Sequence, residues 1–360
     1  MKNMFLSSKP LTNPLFNLPS PSLISYWWNI GSLLGLMLTL QIFSGLLITM
    51  NYCPSSLMAF YSISNIMHNL WGGWLIRFSH TVGASMMMLL IYFHVGRNIY
   101  YANFKNTKTS LSGLIILLMV MITAFLGYVL PWGQMSFWGA TVITSLASVI
   151  PFYGNMVVKW LWGNFAVSNS TLNRFFMLHF IIPLLLLVLS LIHISTLHSH
   201  GSISPLSFKK NIEMIEFHPK FTFKDLFPLW LIMVMIFIMA LNAPFKFMDP
   251  ENFIIANPLS TPNHIQPEWY FLFSYAILRC IPNKVGGVIA LILSIMVVIT
   301  PMIKTPFMNN SFSPFKKLYF WFMLCSLILL TWVGANPVSE PLIFLAQIYT
   351  MLYFYSFAFL

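Results

Sequence analysis

The stretch WLIRFSHTVGASMMMLLIYFHVGRNI, residues 74–99, is apolar enough and long enough to cross a bilayer, yet it carries His80 and His94. A membrane-spanning helix needs about 20 residues. A second such stretch, RFFMLHFIIPLLLLVLSLIHISTL at residues 174–197, repeats the arrangement with His179 and His193. Both pairs are 14 positions apart. At 1.5 Å per residue that interval covers roughly 21 Å, and it ends about 40° short of four turns, so each pair shares one helix face. Two such helices facing each other bring the histidines together as two couples stacked across the membrane. That is the layout needed to ligate two haems, one near each surface. An ionisable group inside a span is costly and marks a functional site by default. A lone histidine would read as a packing residue bonded to a backbone carbonyl, but a duplicated pair at one spacing does not.

The whole composition agrees with a membrane location. The 360 residues are 58% hydrophobic and 7% charged, with a mean hydropathy of +0.79, whereas soluble domains carry about 25% charged residues. Residues 1–29 lack a charged segment followed by an apolar core, and no Arg-rich, Ser-rich leader is visible; the expectation is insertion where the chain is made. Cys53, Cys280 and Cys325 are scattered and suggest neither disulfides nor a zinc site. The net charge of +11 is spread over connections, so it speaks to membrane topology and not to nucleic acid.

The fold class is therefore all-α and polytopic, with eight spans at about 30–50, 74–99, 111–131, 174–197, 226–243, 285–303, 318–335 and 342–360, lettered A to H. An even number puts both termini on one side, here called inner. That side then holds Lys2, Lys9, Arg97, Lys105, Lys108, Lys209, Lys210, Lys220, Lys224, Lys304, Lys316 and Lys317. The outer side holds Arg77, Lys159, Arg174, Lys246, Arg279 and Lys284. The excess of basic residues assigns the termini to the inside. Two outer connections, 132–173 and 244–284, are long and rich in aromatics and proline, so short surface helices are expected in them. The His and Gly patterns fall within residues 1–205, a four-helix bundle A–D, and residues 206–360 form a second part, E–H.

Spans A and C carry Gly31 with Gly45 and Gly113 with Gly127, again 14 apart. Glycine permits close backbone approach, so these positions would admit two macrocycle edges; glycine also serves ordinary helix packing in membranes. Two axial histidines leave iron no open position, so such haems carry electrons and do not activate oxygen. Arg77 and Arg97, toward opposite ends of span B, are placed to pair with haem propionates.

These residues resemble the cytochrome b family of respiratory bc complexes (complex III), in its mitochondrial form. The resemblance covers essentially the whole chain. It includes the fourfold histidine spacing, the glycine pairs, GYVLPWGQMSFWGAT at 127–141, IIANPL at 254–259 and PEWY at 267–270. It implies that His80 and His179 ligate a low-potential haem b near the outer surface, and His94 and His193 a high-potential one near the inner surface. It implies ubiquinol oxidation at an outer site containing Pro267, Glu268, Trp269 and Tyr270, with Phe125, Tyr128, Gly139 and Tyr275 lining it. A carboxylate at a membrane interface has its pKa raised by desolvation, so Glu268 can take a proton and release it outward. On the inner side His198 and Asp225, assisted by Ser202 and Lys224, match a ubiquinone-reduction site; an imidazole and a carboxyl can exchange the protons it needs.

Several residues depart from the family pattern: Ile203 and Ser204 after the Gly-Ser, an additional His200, Asn263 and Gln266 beside the Glu motif, and NIMHNLWGG at 65–73. His68, His218 and His264 read as surface residues. The chain has no cluster for an iron–sulfur centre and no C-x-x-C-H. The resemblance thus implies a Rieske-type iron–sulfur protein and a membrane-anchored c-type cytochrome as partners, with other subunits, in a homodimeric complex of the mitochondrial inner membrane whose termini face the matrix. Two rival readings carry different sequence marks. A haem-free transporter relaying protons through histidine predicts broken helices in two repeats, and no repeat is visible. A di-haem dehydrogenase anchor would have about four or five spans, fewer than hydropathy gives here.

Overall fold

The computed structural model describes residues 18–102, 104, 106–205, 214–303 and 313–360. Among them, eight helices are long and apolar enough to cross a membrane. They are A (Ile30–Thr49), B (Gly73–Tyr100), C (Thr107–Val129), D (Asn169–His200), E (Lys220–Asn242), F (Lys284–Ile303), G (Pro314–Gly334) and H (Leu342–Phe359). Every expected span is present. F is less regular than its hydropathy suggests: the α-helix Lys284–Met296 passes into a 3-10 turn, Val297–Ile299, before a last helical turn. Lys2, Lys9, Lys105, Lys209, Lys210 and Lys304 lie outside the described residues.

Helix ends follow local chemistry. The Asn106 side chain caps C, Asn283 caps F, and Ser168 with Thr171 forms a reciprocal box at the start of D. D ends at Gly201, whose φ of +75° suits glycine. Inside D, Pro183 lacks the N–H that would bond the carbonyl of His179, four residues earlier. Such interruptions survive in membrane helices where neighbours satisfy the freed groups.

The outward faces of D and E are apolar and exposed, including Leu185, Val188 and Leu191 on D, and Phe227, Trp230 and Phe237 on E. A soluble helix would bury such residues; these suit contact with lipid tails. Packing therefore draws little on hydrophobic transfer and depends on close fit and small residues. A lies tightly on B, and C on D. Between them sits a core of Met37, Leu38, Val82, Met88, Leu117 and Val120.

Helix E lies chiefly against A and B, so it joins the histidine-bearing bundle more closely than its place after residue 206 suggests. G and H form a second tight pair, and the short helix Leu272–Cys280 wedges among F, G and H. The 132–173 connection contains helices Gln134–Ser145 and Gly154–Trp162, as expected. A further helix, Ala59–Asn69, follows A and was not anticipated. Pro19–Pro21 pairs antiparallel with Met214–Glu216, tying the segment before A to the segment before E.

Candidate functional site

The two histidine couples form as the spacing requires. The ring centres of His80 and His179 are 6.3 Å apart, and those of His94 and His193 are 6.4 Å apart. A metal–imidazole nitrogen bond of about 2.0 Å, plus roughly 1.1 Å from nitrogen to ring centre, taken on both sides, gives about 6.2 Å. Each couple is therefore spaced for one metal ion between its rings.

The hydrogen bonds settle which ring nitrogen is left for the metal. Nδ1 of His179 lies 2.9 Å from the Thr123 carbonyl, which can only accept, so Nδ1 carries the proton. Nδ1 of His80 lies 2.9 Å from Ser44 Oγ, whose own hydrogen goes to the Leu40 carbonyl at 2.7 Å. Nδ1 of His193 lies 3.0 Å from Ser112 Oγ, whose hydrogen goes to the Thr109 carbonyl at 2.9 Å. All three Nδ1 atoms donate, leaving each Nε2 with a lone pair. Bonds of this kind between membrane helices average only about 0.6 kcal/mol, so their main effect is to hold the tautomer and the ring angle. Nδ1 of His94 is buried without a partner.

The glycines face the histidine rings. A methyl on Gly31 would lie 3.8 Å from Cε1 of His94, on Gly45 3.2 Å from Cε1 of His80, and on Gly113 3.1 Å from Cε1 of His193. On Gly127 it would collide with the His179 ring. At Gly45, Gly113 and Gly127 the bare glycine thus lets its helix close over one imidazole of the neighbouring span, while at Gly31 a methyl would make only ordinary contact. Gly127→Ala should displace His179 and cost about 1–3 kcal/mol of packing, read as loss of the outer b-type component in the visible spectrum. Gly35→Ala, where a methyl meets open space, should retain it.

Toward the inner end, one cavity of about 1490 Å³ joins His94 and His193 to Arg97, His198, Ser202 and Asp225. Single small-molecule sites run about 300–1,000 Å³, so the chamber has room for more than one ligand. Arg97 donates to Asn98 Oδ1 at 2.9 Å and its guanidinium stands 5.4 Å from the Trp28 ring centre. Its Nε is buried without a partner, which fits an anion such as a propionate. Asp225 Oδ1 accepts from Asn29 Nδ2 at 2.7 Å and Ser32 Oγ at 2.9 Å. Lys224, expected to assist there, instead donates to the Ile24 carbonyl and does not line the chamber. Ile203, Ser204 and His200 do line it.

The outer site is assembled from two connections and helix B. Gln134 N–H bonds the Ile254 carbonyl at 2.9 Å, Ala256 N–H bonds the Trp132 carbonyl at 3.2 Å, and Ser136 Oγ bonds Asn252 Oδ1 at 2.8 Å. These contacts join the GYVLPWGQMSFWGAT and IIANPL segments. Helix B carries the PEWY turn: Trp269 Nε1 donates to Ser85 Oγ at 3.3 Å, and the Tyr92 hydroxyl donates to the Tyr270 carbonyl. Tyr270 is buried, and burial followed by nearby Glu268, Tyr128 and Tyr92 pushes its hydroxyl pKa up. Tyr275 donates to the Ile265 carbonyl at 3.0 Å and lies under the Arg279 guanidinium, 4.4 Å from its ring centre. Phe125 packs edge-on to Phe175 at 5.9 Å, and a methyl on Gly139 would meet open space. Arg77 donates to Thr81 Oγ1. His68 and His218 are exposed as expected, whereas His264 is half-buried and its Nε2 has no hydrogen bond.

Burial, then the Asp249 carboxylate, push the Glu268 carboxyl up to about 8, against the opposing pull of Arg77. Between the ordinary carboxylate range and about 8 the folded protein holds a proton that the unfolded chain releases, so this group lowers stability as pH rises. Asp249 itself accepts from Glu251 N–H at 2.9 Å and from Gln266 Nε2 at 3.2 Å, both neutral donors. Gln266→Lys should offset the Asp249 charge and lower the Glu268 pKa. If ionised Glu268 is the base, the rising limb of the quinol-oxidation pH profile moves to lower pH, and a steady-state pH series checks it.

Ser44, Ser112, Thr123, Asn29, Ser32 and Asp249 were not found from the sequence. The two Ser-Gly steps, 44–45 and 112–113, were a usable signal, since each places a hydroxyl beside a glycine of the repeated interval.

Eight spans with two histidine couples between B and D define a membrane-embedded electron-transfer protein. A family model described as cytochrome b/b6/petB matches residues 15–201, and one described as the C-terminal part of cytochrome b/b6/petD matches residues 255–354. The fold is similar to a chain in a solved hyperthermophilic respiratory complex III, with a TM-score of 0.90 and 31% identity over 95% of this chain and 92% of that one. The chain belongs to the cytochrome b family. It is accordingly a haem b-binding, multi-pass redox subunit of a quinol–cytochrome c oxidoreductase.

Proposed function

We propose that this chain connects a quinol-oxidising site on the outer side of the mitochondrial inner membrane to a quinone-reducing site on the matrix side, within a respiratory complex III. His80 with His179 would hold a low-potential haem b, and His94 with His193 a high-potential one. When bound, these groups supply one-electron carriage between the two sites. Arg77 and Arg97 offer cations to their propionates.

The residues of the chain do the proton chemistry. Oxidising a quinol releases two protons and two electrons. Glu268 takes a proton from the quinol hydroxyl and passes it outward, Tyr270 bounds the pocket, and Tyr275, Phe125, Tyr128, Gly139, Pro267 and Trp269 shape it. One electron leaves to a Rieske-type iron–sulfur protein and onward to a membrane-anchored c-type cytochrome; the other is delivered to the inner site, so two quinol oxidations supply the two electrons that reduce one quinone. There His198 and Asp225 supply protons to the quinone oxygens, with Ser202 as a hydrogen-bond partner. Release outside and uptake inside build the proton gradient. Moving each charge against the potential costs about 2.3 kcal/mol per 100 mV, so the two electron routes must differ in driving force.

Residues 1–205 would then be the di-haem part and residues 206–360 the part bearing the quinol-oxidation motif, in a homodimeric complex with both termini in the matrix. The observation that carries the reading is the pair of histidine couples 6.3 and 6.4 Å apart. The test is a visible spectrum of the purified complex on addition of quinol. b-type bands that sharpen on reduction support it; their absence would favour the histidine relay of a transporter.

A further inference from the structure

The inner chamber poses a supply problem. Among the described residues, six titratable side chains line it: His94, Arg97, His193, His198, His200 and Asp225. His94 and His193 face each other as a couple, and a guanidinium does not give up its proton in proteins. That leaves His198, Asp225 and His200. His198 and Asp225 are half-buried, and Asp225 is enclosed by Asn29 and Ser32. His200 alone of the three is exposed. The nearby cation Lys224 is turned away, donating to the Ile24 carbonyl and lying 4.9 Å from the Tyr26 ring centre.

Residues two apart on a helix point in nearly opposite directions. His198 and His200 nevertheless both border the cavity, because D ends at His200 and the chain turns at Gly201. His198 therefore borders the chamber half-buried, and His200 stands exposed at its rim. Nδ1 of His200 lies 2.8 Å from Ser199 Oγ, which fixes the ring at that rim.

We propose that His200 is a second proton carrier of the inner site, the group that reloads His198 and Asp225 from the matrix. The inference rests on the inner chamber being the quinone-reduction site. Each quinone reduced consumes two electrons and two protons. After His198 and Asp225 give up protons to the quinone oxygens, the imidazolium of His200 passes one inward through chamber water and is reprotonated from bulk. Imidazole suits the task because its two ring nitrogens let one side chain accept a proton on one side and donate it on the other.

The test uses the intact complex with its inner haem pre-reduced, mixed rapidly with a soluble quinone, in wild type, His200→Asn and His200→Gln. Both variants should keep the wild-type haem spectrum. Reoxidation should slow by about ten- to a hundredfold at about pH 8, slow much less at about pH 6 where free protons are plentiful, and recover with added imidazole. A wild-type rate at both pH values would overturn the proposal. So would an equal slowing at both that imidazole fails to relieve, since that marks a structural role. If wild-type reoxidation ignores added quinone, the reading of the chamber as a quinone site fails first, and separately.

Discussion

Complexes carrying His193→Leu should contain half the normal b-type haem: the inner component goes and the outer one stays. Leucine fills the apolar volume without offering a lone pair, so His94 keeps its place in span B but faces no partner at 6.4 Å. The outer couple lies 14 residues away along both helices, roughly 21 Å, and its bonds to Ser44 and Thr123 are untouched. Removing the group that merely orients a metal ligand typically costs 10–100-fold in affinity or activity. Removing the ligand itself should cost more, so quinol–cytochrome c turnover should fall by at least on the order of a hundredfold. A redox titration of the visible bands checks the assignment, and retention of both components in the variant would reject the pairing of His94 with His193.

Glu268→Gln should reduce quinol oxidation by on the order of 10²–10⁴-fold, the usual contribution of a positioned acid or base. It should leave both b-type components in place, because Glu268 touches neither histidine couple. The amide preserves size and hydrogen bonding but cannot take a proton. Wild-type activity should rise as pH increases toward about 8, where Glu268 becomes an ionised base, and the variant should lose that limb. The inner reaction, assayed by reoxidation of pre-reduced haem with quinone, should be unchanged. A steady-state pH profile identical to wild type would remove Glu268 from the proton path.

The course of the chain was largely legible because membrane helices declare themselves by length and hydropathy, one at a time. The histidine couples were legible for a related reason: a 14-residue interval is a local property of each helix, and repetition fixed which helices must meet. What the sequence left open depends on contacts between distant segments. Ser44 and Ser112 look like ordinary small residues until helix A is laid on B and C on D. The pairing of residues 19–21 with 214–216 joins segments with no shared pattern. Helix E reads as part of a C-terminal group, yet the chain returns it to A and B, where Asp225 meets Asn29 and Ser32. Lys224 matched its expected position in sequence and still points elsewhere, since a four-carbon stem can reach the Ile24 carbonyl and an aromatic face instead. The glycines read from the sequence as room for macrocycle edges have the imidazole rings as their nearest neighbours.

In the proposed function, two histidine couples on spans B and D hold two electron-carrying haems between quinone sites at opposite ends. Potentiometric titration of the native complex, followed in the visible b-type bands, tests it most directly. Two one-electron components in equal amounts, with distinct midpoints, are expected, with loss of only the higher one in His193→Leu. A single component, or two that disappear together when one couple is broken, would contradict it.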